Sequence, residues 1–331
     1  MTITEIAKMA EVSVSAVSRY LNNGYVSEEK AKRIKKVIEK TGYRPSKQAQ
    51  SMRTGKSKVI GVILPKISSE SIARVADGIS EVLSAAGYQM LLTSTENSSE
   101  KEIEYLQLLN NNPVDGILFS ASVYDKAHKD ALKKLDVPVV IISQKFEEYA
   151  CVFHDDYGAA CAMSKKLIES GKRHIGHICV NQKDKAAGVQ RTKAFYDTMK
   201  KCGMPVEPDM VVESSFTMDG GYTAMEKLMK QNPDLDGVFC ATDSLAVGAM
   251  MYLRESGKQI PEDVAVAGIG HNRMSRVVTP TLATAHLHYR TSGVEAAKML
   301  VEMLEEGNVI SKQLMLGYEV VEAESISSER V

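Results

Sequence analysis

The sequence predicts an α/β protein: a helix-turn-helix head of three helices, a short hinge helix, then two doubly wound parallel-sheet lobes. Three observations carry this. The first 45 residues hold helix start and stop signals and no strand-like run. From Lys58 onward, apolar runs of strand length alternate with amphipathic stretches of helix length. The net charge of −1 conceals +7 in residues 1–56 against −8 in the rest, so the head alone is suited to a polyanion.

In the head, Thr2 and Glu5 fit a capping box, and Ile6, Ala7, Met9 and Ala10 give the first helix its buried side. Ser13 caps the second helix, where Val17 and Leu21 share a face, and Asn22-Asn23-Gly24 stops it. Ser27 caps the third, with Ala31, Ile34, Val37 and Ile38 as its inner stripe and Thr41-Gly42 as its end. Only about three residues separate the first two helices, the spacing of a helix-turn-helix. The outward Ser13, Ser15 and Arg19 then suit a helix lying in a DNA major groove. Serine pairs with several base edges or phosphates, and arginine with a guanine edge. Residues 46–56, SKQAQSMRTGK, are polar and basic and read as the hinge.

The body continues as VIGVIL, a helix over 70–86, YQMLLT, 99–110, DGILF, 125–135 and PVVII. The rhythm resumes with 156–170, HIGHICV, 186–202, MVVE, 219–231, DGVFCA, 243–257 and VAVAGI. These strands are too many for one sheet, so two lobes are expected. Their boundaries fall at 57–156 plus 287–312, and 157–286 plus 313–331. Ligands in such sheets bind beyond the carboxyl ends of the strands, which makes the interlobe cleft the expected pocket.

Composition is that of a globular protein, 44% apolar and 25% charged. No apolar run approaches the ~20 residues of a membrane helix. The opening MTITEIAKMAEVS lacks a secretory core, so a cytoplasmic protein is expected. Cys151, Cys161, Cys179, Cys202 and Cys240 are odd in number and form no close pair, consistent with reduced thiols.

TITEIAKMAEVSVSAVSRYLNN, followed by VSEEKAKRIKKVIEKTGYRPSKQAQSMRTGKSKVIGVILP, resembles the head and hinge of the lactose repressor (LacI/GalR) family. VDGILFS at 114–120, RTKAF at 191–195, ATDSLAVGAM at 241–250, IPEDVAVAGI at 260–269 and TPTLAT at 279–284 extend the likeness collinearly. AGIGHN at 267–272, HLHYRTSG at 286–293 and HDD at 154–156 are most similar to the sucrose operon repressors. The resemblance implies a periplasmic-binding-protein-like core and a homodimeric repressor on a palindromic operator. It also implies a hinge helix that opens the central minor groove, with Met52 where the family usually has a leucine wedge. Val14, Ser15 and Arg19 then read bases, Arg19 foremost. Tyr43, Arg44 and Lys47 hold phosphates, and Thr2, Ser13, Ser18, Asn22 and Ala49 complete the DNA face.

Around the cleft, the matched family positions are Ser69, Ser120, Gln144, Arg191, Phe216, Thr242, Asp243 and His271. Arg191 and Gln144 would bond sugar hydroxyls. Phe216 would pack on a C–H face or else lie in the core. Asp243 reads as an N-cap in preference to a ligand contact. Many family members carry an effector-binding acid in the next loop; here Gly270 stands there, beside His271, which admits a ketose or a phosphorylated sugar. His174/His177 and His286/His288 suggest metal spacing, but no local carboxylate or cysteine completes a set, so neither metal nor cofactor is expected. Asp155-Asp156 reads as a turn or helix start. A transport receptor would need a secretory leader and no DNA-reading head. An enzyme would need a nucleophile elbow or paired carboxylates, and none stands out. The ending EVVEAESISSERV carries no leucine heptads, which favours a dimer over a tetramer.

Overall fold

The computed structural model describes residues 1–22, 24–43, 56–307 and 311–326. The hinge positions Lys47, Ala49 and Met52, together with Asn23 and Arg44, lie outside the described residues. Contacts divide the chain into two units, Met1–Lys58 and Val59–Val331.

The first unit contains α1 (Ile3–Met9), α2 (Val14–Leu21) and α3 (Glu28–Thr41). The Thr2–Glu5 capping box forms in both directions, and the Ser13 hydroxyl accepts from Ala16 N at 3.2 Å. Gly42 closes α3 at φ 64°, the left-handed turn that glycine adopts without a Cβ penalty. Ile6, Ala7, Ala10, Val17 and Ile34 form the small core. Two expectations need correction. Met9 is 48% exposed, because the 3.6-residue period carries it off the inner face once Ile6 and Ala10 occupy that face. Ser27 sits at the start of α3, but its side chain makes no capping bond.

The second unit holds two six-stranded sheets. The first has the order β11-β5-β4-β3-β1-β2, from β1 (Val59–Leu64), β2 (Gln89–Ser94), β3 (Gly116–Ser120), β4 (Val139–Ile142), β5 (Ala150–His154) and β11 (Gln313–Leu316). The second has the order β12-β10-β9-β8-β6-β7, from β6 (Ile175–Cys179), β7 (Val211–Glu213), β8 (Gly237–Cys240), β9 (Ala265–Ile269), β10 (Ala283–Leu287) and β12 (Tyr318–Val321). Every pairing is parallel except β10 with β12. Most strands read as unbroken apolar runs because helices cover both faces, and every residue of GILFS in β3 is buried.

Helices α4 (Glu70–Ala85) and α12 (Tyr289–Glu306) cover one face of the first sheet; α5 (Ser99–Asn110) and α6 (Lys126–Leu132) cover the other. In the second lobe, α9 (Met218–Gln231) and α10 (Asp243–Glu255) face α7 (Asp156–Glu169) and α8 (Arg191–Lys201) across the sheet. A short helix, α11 (Arg273–Val277), follows β9. The chain passes between lobes after β5, after β10 and at Gly317, between β11 and β12. The last passage corrects the expected boundary. Residues 313–316 pair in parallel with β5, so they belong to the first lobe. A four-residue strand gives no local cue as to which of two open sheet edges it will join.

Helices α4 and α12 meet through two glycines. A Cβ on Gly78 would lie 2.2 Å from the Arg290 carbonyl oxygen, and one on Gly293 would lie 2.1 Å from that of Val75. Gly293→Ala must therefore separate the two backbones. We expect a loss of about 1–3 kcal/mol, read as a lower urea midpoint; an unchanged midpoint would contradict this packing.

Candidate DNA-reading head and effector cleft

The helix α2 presents Val14, Ser15, Ser18, Arg19 and Asn22 on one side and buries Ala16 and Val17 on the other. Val14 is 42% exposed, an apolar surface residue suited to a thymine methyl. Arg19 is exposed, and its side chain makes no hydrogen bond or ion pair among the described residues; its carbonyl accepts from Asn22 N and Gly24 N. Other polar groups are partly committed within the head. The Thr2 hydroxyl accepts from Glu5 N, Ser13 and Ser15 share a bond of 2.9 Å, and Asn22 Nδ2 donates to the Ser18 carbonyl. Tyr43 packs half-buried against the head core.

All eight expected cleft residues lie at or beyond the carboxyl ends of strands in the second unit, Ser120 as the last residue of β3. In the second lobe a charged floor forms around Arg191. Just before it, Lys185–Gln190 make a π-helical turn. Arg191 is 4% exposed; its Nε and Nη2 donate to Asp156 Oδ1 at 2.9 and 2.6 Å, and Nη1 donates to the Ala241 carbonyl. Burial alone would lower its pKa, but Asp156 and Tyr289 outweigh that and raise it. The guanidinium is thus bound to a carboxylate, whereas the sequence left it free for hydroxyls. Asp156, expected only as a turn or helix start, is the missing partner. Asp155 is the N-cap of α7, accepting from Gly158 N at 2.8 Å.

Asp243 also differs from expectation. The N-cap of α10 is Thr242, whose hydroxyl accepts from Leu245 N. Asp243 lies one residue inside, where its carboxyl turns to the sheet ends: Oδ1 accepts from Thr284 Oγ1 at 2.6 Å and Oδ2 from Asn272 N at 2.8 Å. Burial pushes its pKa up to about 6 despite those two bonds. Gly268 makes room, since a Cβ there would lie 2.6 Å from Oδ1. Asn272 N is therefore anchored by a buried acid, and the same loop carries His271 at φ 50°.

His271 Nδ1 stands 3.2 Å from His286 Nδ1, with the two rings nearly perpendicular. His286 in turn lies edge-on to His288 at 4.9 Å. Burial, with Arg276 and Arg74 nearby, lowers the pKa of His271. Of the expected histidine pairs, His174 and His177 lie elsewhere: His177 bonds Phe239 O and Thr192 Oγ1, and His174 pairs with Asp234. Among the described residues no group of three side chains could hold a metal ion.

Helix α4 reaches this loop from the first lobe. Arg74 Nη1 donates to the carbonyls of Gly270 and His271 at 3.4 and 3.3 Å, and the Glu70 carboxylate accepts from Arg273 N at 3.0 Å. Ser69, next to Glu70, bonds Ser71. Further along the sheet, Ser120 and Ser143 hydroxyls lie 3.3 Å apart, with Ser143 at φ 74°. Gln144 Nε2 donates to the carbonyls of Ala121 and Ser122 at 2.8 and 2.9 Å, leaving its buried Oε1 without a partner. Its amide N–H is thus tied to the first lobe's backbone, and its oxygen is the group left to a hydroxyl.

A cavity of about 440 Å³ opens between the lobes. Val123 and Tyr124 line it from the first lobe, and Gln182, Lys183, Lys185 and Gln190 from the second. Its aromatic wall is Tyr124, whose ring stacks on Phe146 at 3.6 Å. None of the eight expected cleft residues is on this lining; Phe216, the expected platform, is 39% exposed and so is not a core residue. Tyr124 sits in a loop with no periodicity, so no local pattern pointed to it.

A profile described as bacterial regulatory proteins of the lacI family matches residues 2–46, and one for periplasmic binding proteins and the sugar-binding domain of the LacI family matches 57–317. The chain belongs to the LacI family. It is a LacI-family transcriptional repressor with a helix-turn-helix head and a sugar-binding-type core. It is 28% identical to catabolite control protein A of Priestia megaterium, covering 97% of each chain. It is 29% identical to the sucrose operon repressor of Staphylococcus xylosus, covering 96% of this chain and 98% of that one. The solved complex of transcriptional regulator CelR with cellobiose superimposes with a TM-score of 0.76 at 26% identity, over 98% and 99% of the two chains. These LacI-family relatives are regulators, not enzymes. No described helix is long and apolar enough to cross a membrane.

Proposed function

We propose that this LacI-family protein is a cytoplasmic homodimer that represses genes of carbohydrate use from a palindromic operator. A small sugar in the interlobe cleft loosens its grip. The observation that carries this reading is the cavity between the lobes, walled by Tyr124 and lined by the polar Gln182 and Gln190; behind the Tyr124 loop, the buried Gln144 Oε1 has no partner. An aromatic face suits sugar C–H groups and an orphan acceptor suits a hydroxyl. The likeness to a sucrose operon repressor and to a cellobiose-bound regulator supports the sugar class and favours sucrose, fructose or a related sugar. A second reading, a phosphorylated sugar, draws on Lys183 and Lys185 at the cavity wall.

Control follows from linkage. A sugar that prefers one lobe arrangement shifts the lobe equilibrium by its difference in affinity, ~1–3 kcal/mol for a 5–150-fold effect on the operator. The bonds of Arg74 and Glu70 to the 270–273 loop cross the cleft and would be made or broken by such a shift. Fluorescence polarisation on a palindromic duplex, titrated with sucrose, fructose and their phosphates, tests the reading. Release by a neutral sugar supports the first form, and release only by a phosphate the second. No response to any of them rejects both. His271→Ala is expected to weaken effector binding about 3- to 10-fold by calorimetry, with operator affinity of the free protein unchanged. Equal effector affinity would remove His271 from the site.

A further inference from the structure

The cavity loop Ala121–Asp125 has no regular structure, yet it is pinned from beneath by charged groups that are fully buried. Glu102 on α5 and His128 on α6 expose none of their side-chain surface. Glu102 Oε1 accepts from Ser122 N at 3.0 Å and from Ser122 Oγ at 2.5 Å. Glu102 Oε2 meets His128 Nε2 at 2.9 Å, and His128 Nδ1 meets Asp125 Oδ1 at 2.8 Å. From the other side, Gln144 Nε2 holds the carbonyls of Ala121 and Ser122. The loop is therefore fixed at Ala121, Ser122 and Asp125, and it lines the cavity with Val123, Tyr124 and the fixed Asp125 itself.

An apolar filler would be the cheaper way to pack this space, because buried ionic groups rarely add net stability. What they add here is directional hold on a loop backbone. From these contacts we infer that Glu102 and His128 are positioning residues for effector recognition: they set the Ser122 backbone and thereby the place of the Tyr124 ring on the cavity wall. The inference rests on the sugar-cleft reading but names residues outside the lining.

The imidazole has carboxylates at both nitrogens. As a cation it donates to both; as a neutral ring it can donate to only one. The charged groups facing it are Glu102 from α5 and Asp125 from the loop, while from β3 it meets the Phe119 ring at 6.4 Å. Burial disfavours the charged ring, but the bonds to Glu102 and Asp125 outweigh this and raise its pKa. The doubly bonded form is thus complete at acidic pH and is lost as pH rises through the raised value.

The test uses full-length protein labelled with 3-fluorotyrosine, with the Tyr124 fluorine resonance assigned by its loss in Tyr124→Phe. In wild type this resonance should move with pH in step with His128. Glu102→Gln, which keeps the size of the side chain, should abolish that movement, and His128→Ala should shift and broaden the Tyr124 signal. The remaining tyrosine resonances should stay in place and report an intact fold. If His128→Ala does not fold, wild type and Glu102→Gln decide. A Tyr124 resonance that ignores pH and is unmoved in Glu102→Gln overturns the inference. Calorimetry with sucrose and fructose then reads the consequence, an expected loss of about 10-fold in affinity in Glu102→Gln. Equal affinity in wild type and variant also overturns it. If wild type binds neither sugar while Tyr124 still follows His128, the sugar assignment falls and the positioning role stands.

Discussion

Replacing Arg191 with methionine is expected to destabilise the second lobe by about 3–5 kcal/mol and to abolish the effector response. Arg191 and Asp156 are 4% and 5% exposed, and one carboxylate oxygen takes two of the guanidinium's bonds. Removing the cation leaves Asp156 charged, buried and unpaired, and leaves the Ala241 carbonyl short of a donor just before the Thr242 cap. The damage therefore reaches the starts of both α7 and α10. Because the penalty comes from the orphaned acid, Asp156→Asn added to Arg191→Met should recover a large part of the stability while leaving the effector response absent. Urea denaturation of the two single variants and the double variant measures the coupling. A single Arg191→Met variant that lost under ~1 kcal/mol would show that the pair does not carry this load.

Operator affinity should fall steeply with salt, by about 10³- to 10⁵-fold between 50 and 200 mM if the two heads of a dimer neutralise roughly 6–10 phosphates. The physical basis is the +7 balance of residues 1–56 set on a chain whose remainder carries −8. In the proposed reading, counterion release would supply most of the affinity, while Arg19 and Val14 on the exposed side of α2 would supply discrimination. Polarisation titrations at several salt concentrations give the slope. Arg19→Ala should reduce preference for the operator over random duplex by about 1–3 kcal/mol. A flat salt response would remove DNA as the partner of the head.

Much of the architecture was legible because it is written in local periodicities. The α5 span was read residue for residue, and most other helices and strands to within a residue or two, since apolar spacing and cap residues act over one or two turns. Topology put the cleft at the strand ends, and the family resemblance named the residues around it. Partnerships were not legible. Arg191 and Asp156 lie 35 residues apart, Glu102 and His128 26 apart, and Arg74 and Gly270 196 apart. Asp243 looked like a cap because aspartate commonly caps helices. Thr242 had the same local claim, and only the position of Thr284 and Asn272 in space assigned the acid elsewhere. Phe216 looked like a sugar platform by family position, but Tyr124 is the ring that the pinned loop brings to the cavity.

The sequence by itself determined three short helices with a cationic balance and an alternation of strands and helices that admits only sheets covered on both faces. Hydrogen-bonding caps, charge and side-chain period act between near neighbours, so they can be read along the chain. Only the tertiary structure decided which carboxylate neutralises Arg191, which sheet receives residues 313–316, and which aromatic ring faces the cavity. Those outcomes depend on desolvation and on through-space distance between segments far apart in the chain, and no local pattern encodes either.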